Sequence, residues 1–186
     1  MILVTGGARS GKSGLAERLV ERIAEPQRAS VLYIATSLIF DDEMAERVAK
    51  HRRMRPPHWQ TYEGHRDLAA LIRRESANYG VILLECVTTM LTNLLFDEAG
   101  DSAPETLDFA LIEAALNRQV DELLIACGES QCQVVIVTNE LGLGIVPENR
   151  LARHFRDIAG RVNQRLAAQA DEVHFVVSGI DMKIKG

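Results

Sequence analysis

Gly6-Gly7-Ala8-Arg9-Ser10-Gly11-Lys12-Ser13 fits the pattern G-x-x-x-x-G-K-[ST] in full. It follows the short run 2–5 (Ile-Leu-Val-Thr) and opens a stretch where Leu15, Leu19 and Ile23 recur at four-residue spacing. A strand that passes through a glycine-rich turn into an amphipathic helix is the context in which this pattern holds phosphate. The glycines let successive backbone N–H groups curl around phosphate oxygens, and the helix start adds the positive end of its dipole. Lys12 supplies a mobile positive charge, and the Ser13 hydroxyl suits the magnesium that accompanies a nucleotide. A glycine-rich connector that happened to contain a lysine would not need these flanking patterns.

Further apolar runs at 31–35, 81–84, 134–137 and 173–177 predict buried parallel strands, because continuous Val/Ile/Leu runs suit a sheet covered by helices on both faces. The intervening segments are long enough for crossover helices. One helix is predicted from near Glu148, where Leu151, Phe155, Ile158, Val162 and Leu166 form a stripe and Arg150, Arg153, Arg156, Arg161 and Arg165 lie off it. Another is predicted over about 105–127, preceded by an exposed acidic loop at 97–102. A third starts near Asp41 and closes at Arg55-Pro56-Pro57. The fold class expected is α/β, a single P-loop NTPase-type domain over 1–186 with a mostly parallel sheet.

With 186 residues and 47% apolar content, the chain suits one domain with one core. No apolar stretch is long enough for a membrane span and no cleavable leader is seen, so a soluble, cytoplasmic protein is expected. Cys86, Cys127 and Cys132 lack metal or redox spacing and read as free thiols of a reducing compartment. The net charge of −5 gives no support to a nucleic-acid partner.

Ligands of open α/β sheets gather beyond the carboxyl ends of strands, which singles out Thr36-Ser37, Glu85-Cys86 and Thr138-Asn139-Glu140. Glu85 stands where P-loop proteins carry a metal-supporting acid, although an acid at a strand end can also simply meet solvent. Lys50-His51-Arg52-Arg53-Met54-Arg55 is the densest basic cluster. As a helix end it satisfies the helix dipole; alternatively, its arginines neutralise a polyphosphate while the His51 ring attacks phosphorus. Trp59 and His58 read as packing residues, with base stacking the alternative, and His65, His154 and His174 show no metal-ligand spacing. There is no N-K-x-D guanine-reading tetrapeptide and no insertion long enough for a nucleotide-kinase lid, which leaves a small-substrate transferase.

In order along the chain, the phosphate loop, Tyr33-Ile34-Ala35-Thr36-Ser37, Asp42-Glu43-Met44, His51, Arg55-Pro56, Trp59, Thr61, Glu63 and Leu84-Glu85-Cys86-Val87-Thr88 resemble the bifunctional adenosylcobinamide kinase/adenosylcobinamide-phosphate guanylyltransferase family. The resemblance continues through 138–148 (TNELGLGIVPE), Phe155-Arg156-Asp157, Gly160, Asn163-Gln164 and Ala170-Asp171. It implies two reactions. ATP or GTP phosphorylates the aminopropanol hydroxyl of adenosylcobinamide, with Lys12 and Mg2+ spreading the charge. His51 then takes GMP covalently from GTP and passes it to adenosylcobinamide phosphate. It further implies nucleotide contacts from the 6–13 loop, Ala35, Thr36, Ser37, Arg52, Arg53, Met54, Arg55, Glu63 and Glu85, with Ser13 on the metal, and a homotrimer. Many members carry Asp where this chain has Glu85, so that carboxylate is left between supporting the metal and gripping ribose hydroxyls. The competing readings are a single-activity small-molecule kinase, for which His51 is dispensable, and a nucleotide-dependent switch protein.

Overall fold

The apolar runs pair side by side, because a strand whose residues are buried on both faces must have neighbours for its backbone and helices above and below. The computed structural model describes residues 1–38, 46, 55–103 and 106–186. Strands β1 (Ile2–Gly6), β2 (Val31–Ala35), β3 (Gln60–Glu63), β4 (Val81–Glu85), β5 (Gln133–Asn139), β6 (Glu172–Val177) and β7 (Ile180–Lys185) make one sheet in the order β3-β2-β4-β5-β1-β6-β7. All pairs are parallel except β6–β7. The α/β, mostly parallel architecture expected from the sequence is therefore the one observed.

Helix α1 (Lys12–Ala24) covers one face with Leu15, Ala16, Leu19 and Val20 against Val4, Tyr33, Leu83 and Val135. Helices α2 (Leu68–Glu75), α3 (Val87–Ala99), α4 (Phe109–Glu129) and α5 (Arg150–Gln169) cover the other, over Leu3, Ile34, Ile82, Leu84 and Ile136. The alternation of strand residues between these two clusters follows from the two-residue repeat of a strand. Each fully buried aliphatic contributes about 1.5–3 kcal/mol of transfer free energy, which makes β4, with Val81, Ile82, Leu83 and Leu84 all inaccessible, the anchor of both layers.

The structure adds to and adjusts the sequence expectations. Strand β3 is exposed at every position and β7 likewise, so neither carries the apolar run that marks a buried strand. The supposed acidic loop begins as the last turn of α3, where Asp97 accepts hydrogen bonds from Arg66 and pairs with His65 at 2.6 Å. The Arg66 guanidinium is the main reason that carboxyl is held down at about 2. Helix α4 starts at Phe109 because Asp108 caps it, accepting from the Ala110 and Leu111 amides. Helix α5 starts at Arg150, capped by Asn149. Two of the α5 arginines are engaged on α4: Arg161 binds Glu113 in bidentate fashion, and Arg165 binds Asn117 and Asp121. The helix predicted from Asp41 falls largely outside the described residues.

Candidate active site

The turn after β1 is shaped by two close approaches. A Cβ on Gly6 would stand 2.5 Å from the Val176 carbonyl oxygen of β6, so only glycine lets these strands pair at that point. Gly11 holds φ 93° immediately before Lys12, and a Cβ there would also meet Gly179 at 3.2 Å. From the other side the β6–β7 turn braces the loop, the Gly179 amide donating to the Ser10 carbonyl at 2.8 Å. These contacts fix the turn that leads into the start of α1, the position at which a helix N-terminus can receive phosphate.

Lys12 is buried and donates to the Gly7 carbonyl at 3.1 Å, so its side chain lies back across the loop. Burial lowers the pKa of its ammonium below the ordinary value, with Cys86 and Glu85 opposing that shift. The Ser10 hydroxyl is buried and has no hydrogen-bond partner among the described residues. Ala8 and Arg9 are exposed on the outer side of the turn.

Glu85, at the end of β4, meets the loop directly. The Ser13 hydroxyl donates to Glu85 Oε1, and the Tyr33 hydroxyl donates to Glu85 Oε2 at 3.1 Å. Burial, and next the Glu85 charge, raise the Tyr33 phenol well above its ordinary pKa, so it stays a donor. The Arg55 guanidinium lies over the Tyr33 ring, 3.7 Å from its centroid, and its buried Nε has no partner among the described residues. Hard oxygen donors of this kind, a serine hydroxyl touching a carboxylate, fit a magnesium ion that keeps most of its ligands as water and phosphate.

The sequence-predicted residues separate into groups. Ser13 and Glu85 come together. Ala35 packs into the core, and Thr36 is fully buried, its hydroxyl donating to the Cys86 carbonyl at 2.8 Å and accepting from the Cys86 amide at 2.9 Å. That leaves half-buried Ser37 as the side chain of the 35–37 stretch nearest solvent. Arg55 and Glu63 line a shallow cavity of about 280 Å³ with Pro56, Pro57, Trp59 and Thr61, beside the β2–β3 edge. His51, Arg52, Arg53 and Met54 lie outside the described residues. Three other histidines are engaged elsewhere: His65 with Asp97, His174 with Asp181, and His154 stacked on Phe109.

Sequence reasoning missed Glu17. It sits one helical turn beyond Ser13 on the same face of α1, beside Glu85 and Arg55. Burial, then repulsion from Glu85, push its carboxyl up to about 7 against the pull of Arg55. Its position four residues after the loop serine was the available signal. The folded chain therefore keeps a proton that the unfolded chain releases near 4.5, so stability falls as pH rises from there to about 7. Glu17→Gln removes the burden. In the nucleotide-free protein it is expected to raise Tm by about 2–4 °C at pH 8, after allowance for solvent screening of a half-exposed group, and by little at pH 5. Equal shifts at both pH values would show that the proton is not involved.

Comparison with known proteins adds to this geometry. Residues 2–184 match the family model described as cobinamide kinase / cobinamide phosphate guanyltransferase. The chain is similar to the bifunctional adenosylcobalamin biosynthesis protein CobU of Escherichia coli, 58% identical over 185 residues, with 100% of this chain and 99% of that one covered. The protein of the same name from Salmonella typhimurium is 60% identical over the same shares. CobP of Pseudomonas aeruginosa, also named a bifunctional adenosylcobalamin biosynthesis protein, is 40% identical over 99% of this chain and 96% of its own. Among solved structures, a KaiC-like protein of Pyrococcus horikoshii superposes with TM-score 0.52 at 12% identity, over 94% of this chain and 69% of that one, a likeness of fold alone.

Proposed function

Since the chain belongs to the cobinamide kinase / cobinamide phosphate guanyltransferase family, we propose that it performs both reactions in adenosylcobalamin biosynthesis, first as kinase and then as guanylyltransferase. The observation that carries the chemistry is the contact between Ser13 and Glu85 at the mouth of the phosphate loop. It joins the phosphate-binding turn to a carboxylate at the place where the terminal phosphates of a bound nucleotide lie.

In the kinase step the aminopropanol hydroxyl of adenosylcobinamide attacks the γ-phosphorus of ATP or GTP, and the nucleoside diphosphate leaves. Loop amides and Lys12 hold the equatorial oxygens as their charge shifts, and the lysine moves from the Gly7 carbonyl onto phosphate. Ser13 and Glu85 would hold Mg2+, which when bound neutralises charge between the β- and γ-phosphates. Tyr33 keeps Glu85 oriented.

In the transferase step a neutral His51 nitrogen attacks the α-phosphorus of GTP, a phosphoramidate bond forms, and pyrophosphate leaves. A phosphate oxygen of adenosylcobinamide phosphate then displaces the histidine, giving adenosylcobinamide-GDP. Arg52, Arg53 and Met54 are assigned to the nucleotide contacts of this step together with Arg55 and Glu63, for which the cavity the last two line beside the β2–β3 edge is the support.

The test is chromatography of adenosylcobinamide incubated with the protein, Mg2+ and GTP. Adenosylcobinamide phosphate is expected first and adenosylcobinamide-GDP second. Accumulation of the phosphate with no GDP derivative would instead favour a single-activity kinase. The homotrimer and the cytoplasmic location are part of the same proposal. For the former, light scattering should give about three times the 20.6 kDa chain mass.

A further inference from the structure

Strand β5 lies between β1, which carries the phosphate loop, and β4, which carries Glu85. Its last residue, Asn139, is level with Gly6, two residues beyond the position paired with Glu85. The chain leaving β5 therefore rises between the two halves of the phosphate machinery, and the Glu140 amide donates to the Gly6 carbonyl at 3.0 Å.

This departure is rigidly held. Thr88 accepts from the Asn139 amide at 2.7 Å, Thr138 donates to Asn163 at 2.7 Å, and Asn163 returns a bond to the Asn139 carbonyl at 2.9 Å. The far end is pinned as well. Asn149 caps α5, and Arg153 donates to the carbonyls of Pro147 and Glu148. Between these anchors Leu143, Ile145 and Val146 are 80%, 96% and 60% exposed. Scattered exposed aliphatics are ordinary. Three within four residues, on a loop fixed at both ends beside a phosphate site, present an apolar surface at a set position.

The occupant follows from the proposed kinase reaction, on which this inference rests. An acceptor whose hydroxyl reaches the γ-phosphate must lay the rest of its body over whatever rises beside the phosphates. The corrin macrocycle is a broad ring edged with methyl groups and carboxamides, and its methyl-bearing rim needs an apolar support. On the β6 side the β6–β7 turn stands against the phosphate loop, the Gly179 amide donating to the Ser10 carbonyl at 2.8 Å. We propose that loop 140–148 is the platform for the corrinoid, with Leu143, Ile145 and Val146 against the ring. Next to it, the start of α5 and α3 enclose a largely apolar cavity of about 320 Å³, lined among others by Leu95, Phe96, Leu151 and Phe155 with Thr92 and Asn149, which extends the surface. A second copy seated on the loop would instead cover the acceptor's approach.

The test is the triple variant Leu143→Ser, Ile145→Ser, Val146→Ser. KM for adenosylcobinamide in the kinase reaction is expected to rise by about tenfold or more, from the lost apolar contact. Formation of protein-bound GMP from GTP without corrinoid is expected to stay at the wild-type level. A corrinoid KM within about twofold of wild type would overturn the platform. In parallel, Ile145→Cys should react quickly with a thiol reagent and be protected by adenosylcobinamide but not by GTP. Slow labelling that corrinoid does not change would mark the loop as an interface between copies and overturn the proposal. If the wild-type chain fails to phosphorylate adenosylcobinamide, the functional reading itself is lost; wild-type turnover with an unmoved variant KM removes only the platform.

Discussion

Lys12→Ala is expected to lower kcat/KM for phosphoryl transfer by roughly a thousandfold, the scale of removing a preorganised positive group from a developing phosphoryl charge. The structure separates this loss from misfolding. In the free protein Lys12 is buried, its pKa lowered by that burial, and it donates only to the Gly7 carbonyl among the described residues. Its removal takes away a desolvated charge and one hydrogen bond, so thermal stability should change little while catalysis collapses. A kinase rate within about tenfold of wild type would remove Lys12 from the mechanism.

His51→Ala is expected to abolish guanylyl transfer, by at least about a thousandfold, while phosphorylation of adenosylcobinamide survives in part. The asymmetry follows from the chemistry. The kinase step needs positioned phosphates and charge, which the loop, Lys12 and Glu85 supply, whereas a two-step transfer of GMP needs a nucleophile that holds it. Full guanylyl transfer by the variant would refute the assignment, and equal loss of both activities would point to a structural part for His51.

The central layers were legible in the sequence because each of β1, β2, β4 and β5 is buried on both faces, and that burial demands continuous apolar runs. The edge strands were not. Gln60, Thr61, Tyr62 and Glu63 of β3 bury nothing fully, and β7 alternates apolar residues with Asp181, Lys183 and Lys185 on an exposed hairpin. Their pairing is decided by neighbours far along the chain. The same holds for Asp97, which composition assigned to a loop but which lies in the last turn of α3, paired with His65 and Arg66.

At the site, the phosphate loop is a local pattern and could be read locally. The positions of Glu85 and the β5 exit followed from the rule that ligands collect at strand carboxyl ends. What sequence could not supply was the partner of each side chain. Ser13 and Tyr33 both converge on Glu85, and this favours a metal-supporting part for that carboxylate over a ribose contact. Thr36, expected as a nucleotide contact, spends its hydroxyl on the Cys86 backbone, so it holds β2 and β4 in register at the site's floor.

The most direct measurement of the two-reaction account uses GTP labelled at either the α- or the γ-phosphate, incubated with Mg2+ and either the wild-type protein or His51→Ala, followed by denaturation. The account predicts α-label on the wild-type chain, labile to acid and stable to alkali, with none from the γ-position and none on the variant. An active wild-type protein that retains no α-label would contradict it and leave a P-loop kinase without the second activity.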